Sequence, residues 1–201
     1  MLRVGLTGGI ACGKSTVAML MRKRGCAVLD ADSLAHDLIE PGQPAYSEIV
    51  SEFGASVLNG DGKVNRGTLG GIVFGDRAKL DRLNQIVHPR VLEATNEWFA
   101  KIAREKSPAV AVVEAALLIE AGYDKQLDRV VVCWCRPDQQ RKRLLARGLD
   151  AAEAERRIAA QMPMEEKKQR ATDLIDCSRT LAETGRQVDE LVAKLQNLAV
   201  A

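Results

Sequence analysis

Three observations predict an α/β fold, a parallel five-stranded sheet with helices on both faces: short valine-rich runs recur along the chain, helix-period segments separate them, and a glycine loop joins the first run to the first helix. Leu2 to Thr7 alternates and ends in glycine, which reads as a buried strand. Lys14 to Arg24 then carries Val17, Leu20 and Met21 on one helical face. After Gly25, Cys26 to Leu29 forms a second strand ending at Asp30. Ala109 to Val113 and Arg129 to Trp134 form two more, both rich in valine, and Leu174 to Cys177 supplies a short fifth. The last helix, Gly185 to Leu198, sets Val188, Leu191, Val192, Leu195 and Leu198 in one stripe that closes the sheet.

Two stretches interrupt this alternation. Roughly eighty residues separate the second strand from the third, far more than one crossover helix needs. They carry Tyr46, Ile49, Val50 and Phe53 at helical spacing, then the turn Asn59-Gly60-Asp61-Gly62, and they read as an inserted helical subdomain. Pro89 is placed to start the helix bearing Val91, Leu92, Thr95 and Trp98. The second stretch, Pro137 to Arg170, is helical in pattern and densely basic, with Arg141, Lys142, Arg143, Arg147, Arg156, Arg157, Lys167, Lys168 and Arg170, and reads as an arginine-bearing lid. The expected organisation is one domain over 1-201, with core segments 1-31, 107-136 and 171-201, an insertion over 32-106 and a lid over 137-170.

Composition restricts the functional classes. Hydrophobic residues make up 46% and charged ones 28%, ordinary globular usage. The 29 basic and 27 acidic residues leave a net charge of +2, which gives no bulk field for a nucleic acid or a membrane surface. The longest apolar stretch, Ala109 to Ile119, is broken by Glu114 and is too short to span a bilayer. Met1 leads directly into a strand, without the basic and apolar regions of a signal peptide, so the expected location is the cytoplasm. Cys12, Cys26, Cys133, Cys135 and Cys177 form no C-x-x-C pair and are expected to be reduced, with Cys133 and Cys135 on one strand face.

Gly8-Gly9-Ile10-Ala11-Cys12-Gly13-Lys14-Ser15 satisfies G-x-x-x-x-G-K-S between a strand and a helix, the context that a phosphate-binding loop (P-loop) requires. Glycines allow backbone N–H groups to converge on phosphate oxygens, and the helix start adds the positive end of its dipole. Lys14 reaches the β and γ phosphates of ATP, and the Ser15 hydroxyl can hold Mg²⁺. The chain is thus expected to be an ATP-dependent small-molecule kinase of P-loop NTPase type. Cys12 is either a loop filler or a thiol activated by the helix N-terminus.

Asp30 and Asp32 follow the second strand at its carboxyl end, the edge where open α/β sheets bind ligands. Asp32 either caps the helix beginning near Ser33 or accepts the proton of an acceptor hydroxyl during phosphoryl transfer. Glu114 ends the third strand where a Walker B acid would hold Mg²⁺ through water, unless it caps the following segment. Arg143 and Arg147, four apart on a helix, form either a phosphate clamp or a solvated face. A GTPase would need N-K-x-D, which is absent, and a nucleic-acid-dependent ATPase would need stacking aromatics, which are only 3% of the chain. Another P-loop kinase, acting on a nucleoside monophosphate or a small sugar acid, would share the loop and the lid but not the acceptor site.

The chain resembles the dephospho-coenzyme A kinase family over nearly its whole length. The resemblance rests on Val4-Gly5-Leu6-Thr7-Gly8-Gly9-Ile10 leading into Gly13-Lys14-Ser15, on Leu29-Asp30-Ala31-Asp32, Val64-Asn65-Arg66, Val87-His88-Pro89, Leu117-Leu118-Ile119-Glu120 and Gln161-Met162-Pro163. It implies transfer of a phosphoryl group from ATP to the ribose 3′-hydroxyl of dephospho-CoA, the last step of coenzyme A synthesis, with no nucleic acid, membrane or obligatory protein partner. It further implies that the insertion binds CoA, that Asp32 engages the 3′-hydroxyl, and that Ala11 to Thr16 hold the ATP phosphates. Arg143 and Arg147 become lid arginines, while His88, Leu117 and Leu118 line the acceptor side with Asp30. Ala11 replaces a glycine usual in the family, which is expected to be tolerated only with φ below zero. Ala171-Thr172, Cys177 and Arg179 also depart from the family pattern, the last two beside the adenine pocket.

Overall fold

A computed structural model describes residues 1–73, 75–105 and 109–200 of the chain. Five strands form one parallel sheet: β1 (Leu2–Gly8), β2 (Ala27–Asp30), β3 (Val110–Glu114), β4 (Arg129–Trp134) and β5 (Asp173–Asp176). Their order is β2-β3-β1-β4-β5. The register pairs Leu6 and Asp30 with Glu114 from either side, and Gly8 with Cys133. Chain order reverses at β1, so the loop leaving it emerges at the switch point, where open α/β sheets hold ligands.

All five residues of β3 are buried, as a central strand covered on both faces requires. On one face, α1 (Lys14–Lys23) and α9 (Leu181–Val200) contribute Val17, Ala18, Met21, Val188, Leu191, Val192 and Leu195 to a core with Val4, Leu6, Val112, Val131 and Ile175. The apolar stripe expected for the last helix does this packing, although the helix starts four residues earlier than its periodicity indicated. On the other face Leu118 and Leu127 approach Gly5 so closely that a methyl there would meet them at 2.8 and 2.6 Å. Helices α6 (Pro137–Ala146), α7 (Ala151–Ala159) and α8 (Met164–Gln169) follow β4, and Lys168 of α8 stacks over the Trp134 ring at 4.1 Å.

The chain forms two compact units, Met1–Asp30 with Phe99–Ala201, and Ala31–Trp98. The expected boundary of the third core segment, at residue 107, lies outside the described residues. The 31–98 unit contains α2 (Ala31–Asp37), α3 (Pro44–Phe53), α4 (Arg66–Val73) and the greater part of α5 (Arg77–Arg104). Its core is Ile39, Ala45, Ile49, Val57, Leu69, Val73 and Ile86. The expected turn is present: Asn59 N–H donates to Lys63 O at 2.8 Å, Leu58 bridges Val64, and Tyr46 Oη donates to Gly62 O at 2.6 Å. Asn65 caps α4 by accepting from Thr68 N–H at 3.0 Å, which explains an asparagine before the helix.

Pro89 does not start a helix. It lies inside α5, which begins at Arg77 because Asp76 accepts the amides of Ala78 and Lys79 at 3.0 and 3.2 Å. Directly after the proline, Arg90 Nη1 donates to Ile86 O at 2.6 Å. Among the described residues, no helix is long and apolar enough to cross a membrane.

Candidate active site

The glycine loop occupies the turn between β1 and α1. Gly13 holds φ 92°, and a Cβ there would lie 3.1 Å from Cys177 Cβ and Sγ, so both backbone and space require glycine. Helix α1 starts at Lys14 with no acidic side chain in its first turn, which leaves its N-terminal amides and dipole to an anion. Lys14 Nζ and Ser15 Oγ both donate to Glu114 Oε1 at 2.9 Å. Glu114 is the last residue of β3 and only 3% exposed. Its carboxylate is therefore a ligand of the loop, and the alternative of a simple cap for the following segment is not what the geometry shows.

Ala11 corrects the expectation of a negative φ. It adopts φ 58° and is the one non-glycine residue with positive φ among the described residues. Left-handed alanine costs roughly 1–2 kcal/mol, and here the backbone around it is held by side chains from distant elements. Gln161 Oε1 accepts Ile10 N–H at 2.7 Å, Gln140 Nε2 donates to Ile10 O at 2.9 Å, and Arg143 Nη1 donates to Ala11 O at 3.2 Å. The alanine methyl packs against Leu144 and Ala154.

Arg143 Nη2 also donates to Cys177 O at 2.8 Å, so this arginine joins the loop tip to the residue after β5. Ala11, Gly13, Thr16, Arg143 and Arg147 line a cleft of about 270 Å³ whose other wall is Cys177, Arg179, Leu181 and Thr184. Arg147 is the C-cap of α6 rather than a residue within it, yet it opens on the same cleft as Arg143. Beneath the loop, Cys135 Sγ donates to Cys12 Sγ at 3.2 Å, and all five thiols are free and buried. That hydrogen bond, with Arg143 nearby, holds the Cys12 thiol below its ordinary pKa against the opposing effect of burial. Cys26, away from the loop, is pushed up to about 11 by burial alone.

The segment after β3 is tied down by a lysine that the basic run concealed. Lys167 is fully buried, donates to Ala116 O at 3.0 Å and pairs with Glu120 at 2.8 Å. Glu120 also accepts Met162 N–H at 3.0 Å, so Lys167 ties Ala116 and Glu120 to α8 and Glu120 ties in the residues just before that helix.

A family model described as dephospho-CoA kinase matches residues 2–183. A dephospho-CoA kinase of Anaeromyxobacter dehalogenans is 45% identical over 96% of this chain and 92% of its own length. The chain belongs to the dephospho-CoA kinase family. Among solved structures, TT1252 of Thermus thermophilus superposes with a TM-score of 0.80 at 32% identity, over 96% of this chain and 97% of that one. Dephospho-CoA kinase of Campylobacter jejuni gives 0.72 at 25% identity, covering 97% of each chain. Membership makes the chain an ATP-using phosphotransferase with a small-molecule acceptor, on the α/β P-loop fold expected from the sequence.

Of the residues expected in such a kinase site, Gly8, Gly9, Ala11 to Thr16, Glu114, Arg143 and Arg147 gather at one end of the larger unit. Asp30, register partner of Glu114, ends β2 in the same unit. Asp32 and His88 belong to the 31–98 unit. Asp32 is not the N-cap of a helix beginning near Ser33: α2 starts at Ala31, so Asp32 sits in its first turn. His88 is half-buried in α5, and burial lowers its pKa. Gln140 and Gln161 bond the loop, and Lys167 and Glu120 bond the segment after β3; in the sequence Glu120 and Gln161 stand out only through the family resemblance, Lys167 only as part of a basic run, and Gln140 not at all.

Proposed function

We propose that the chain transfers the γ-phosphoryl group of ATP to the ribose 3′-hydroxyl of dephospho-CoA, giving coenzyme A and ADP, in the cytoplasm and without an obligatory protein or nucleic-acid partner. The observation that carries the reading is the convergence of Lys14 and Ser15 on Glu114 at the carboxyl edge of the sheet, in a chain of this family. In the donor complex Lys14 leaves Glu114 for the phosphates, and the amides opening α1 cradle the β-phosphate. Ser15 and Glu114 would hold Mg²⁺, the second through water; their hard oxygen atoms at one point suit that ion. When bound, the ion neutralises charge developing between the β and γ phosphates.

Asp32, two residues beyond the end of β2, takes the role of the carboxylate that orients the 3′-hydroxyl and accepts its proton late in transfer. The 31–98 unit is the CoA-binding insertion, with His88 on the acceptor side together with Asp30, Leu117 and Leu118. The segment 137–170 is the lid, which brings Arg143 and Arg147 to the donor phosphates, and the cleft wall at Cys177 and Arg179 receives adenine. The test offers purified protein Mg·ATP with dephospho-CoA, AMP, CMP or shikimate in parallel. ADP release is expected with dephospho-CoA alone, and release only with another acceptor would sink the assignment.

A further inference from the structure

Three consecutive peptide units at the tip of the loop are each held by a different side chain. The Gly9–Ile10 unit is held through its N–H by Gln161, the Ile10–Ala11 unit through its carbonyl by Gln140, and the Ala11–Cys12 unit through its carbonyl by Arg143. The two glutamines come from separate places, Gln140 from α6 and Gln161 from the connection between α7 and α8. Between the second and third of these units lies Ala11, at φ 58°. The planes on either side of Ala11 are those held by Gln140 and Arg143, which leaves Ala11 little choice of φ, and Gln161 fixes the plane just before them. Immediately downstream are Gly13 to Thr16, whose amides open α1.

We propose that Gln140 and Gln161 are positioning residues, Gln140 holding Ala11 with Arg143 in its left-handed conformation and Gln161 fixing the plane before it, and that they thereby set the loop in its nucleotide-binding form. The inference rests on the reading of this loop as the ATP-phosphate site. The two side chains have opposite duties. Position 161 must accept a hydrogen bond, and position 140 must donate one. Without the clamp an alanine occupies the left-handed region in about a tenth of molecules or fewer, and apparent nucleotide affinity falls by that fraction. A glycine occupies it in roughly half, so the same loss shrinks to about twofold.

The experiment measures Mg·ATP dissociation constants by calorimetry on the full chain, together with kcat and KM for dephospho-CoA. Gln161→Ala and Gln140→Ala are each expected to weaken Mg·ATP about tenfold and leave the KM for dephospho-CoA unchanged. Gln161→Met and Gln140→Met, which keep side-chain length but supply neither the acceptor nor the donor, are expected to match the alanine variants without adding charge. Combining Gln140→Ala with Ala11→Gly closes a double-mutant cycle in which the glutamine is worth about twofold instead of tenfold. Both glutamines are partly exposed, so truncation leaves the core intact.

Unchanged ATP affinity in both alanine variants overturns the inference, as does an equal loss with alanine or glycine at position 11. A wild-type chain that binds Mg·ATP but leaves dephospho-CoA untouched defeats the acceptor assignment instead, while the binding measurements still decide the clamp.

Discussion

Lys14 and Asp32 carry different halves of the proposed reaction, and single substitutions separate them. Lys14 donates into a Glu114 carboxylate that is almost wholly out of solvent, so Lys14→Ala removes the cation that would move to the phosphates and also leaves a buried acceptor short of a donor. The expected result is loss of both ATP affinity and turnover. Asp32→Asn retains shape and removes the proton acceptor; turnover should fall roughly 10² to 10⁴-fold with ATP binding nearly unchanged. Isothermal calorimetry beside steady-state rates distinguishes the two, and an Asp32→Asn enzyme with full turnover would end the catalytic role. The motif made Lys14 and Ser15 legible from sequence because their chemistry demands fixed spacing. The φ of Ala11 is not legible locally because the Ile10–Ala11 backbone is held by side chains 130 to 151 residues away.

Strand β5 shows how an edge element is fastened. Asp173 accepts from Arg129 Nη2 at 2.8 Å and Nε at 3.1 Å, and pairs with Lys194 of α9. Burial pushes the Asp173 carboxyl up, but hydrogen bonds from Lys194, Arg129 and Thr172 outweigh it and hold it below its ordinary value. A lowered carboxylate pKa contributes stability that is present above about pH 4 and lost as pH falls through the folded-state value. Arg129→Met should cost about 1–3 kcal/mol at neutral pH. It should also move the onset of acid unfolding to higher pH, and chemical denaturation across a pH series would show both.

The bounds of such elements are only partly legible in the sequence, for physical reasons. The bounds of β4 coincide with the valine run because every residue from Val130 to Cys133 is buried, and β3 extends to Glu114 because the loop supplies partners for its carboxylate. Helix α5 runs through Pro89, since Asp76 starts it three turns earlier and a proline removes only one donor. Lys167 looked like one more charge in a basic run, and its partners Ala116 and Glu120 lie beyond the reach of any helical period.

At the level of the whole chain, the two compact units follow from the interrupted alternation: one hydrophobic core lies on the sheet, and another lies among helices between β2 and β3. The division at residue 98 falls within α5 and leaves no trace in composition, so it could not be read from the sequence. The stability of the 31–98 unit is expected to depend on pH through His88. Burial holds the pKa of His88 below the usual value, so the unfolded chain binds its proton first as pH falls. The contribution of His88 is complete above about pH 6.5 and is lost as pH drops from there through the folded-state value. His88→Gln should flatten that part of the stability profile, as followed by hydrogen exchange of amides in residues 31–98. An unaltered slope would assign the pH response to other groups.

The contact between Lys14 and Glu114 also bears on which anions the loop can take. A carboxylate built into the sheet, 2.9 Å from the ammonium, is a tethered rival to every arriving anion, at an effective concentration that free solutes do not reach. A lone inorganic phosphate must displace that rival and leave Glu114 buried without a countercharge. A nucleoside triphosphate carrying its divalent ion gives Glu114 a positive charge in exchange for the lysine it takes. Such a loop is expected to take Mg·ATP in preference to inorganic phosphate, and competition binding of the two on the full chain would measure the difference.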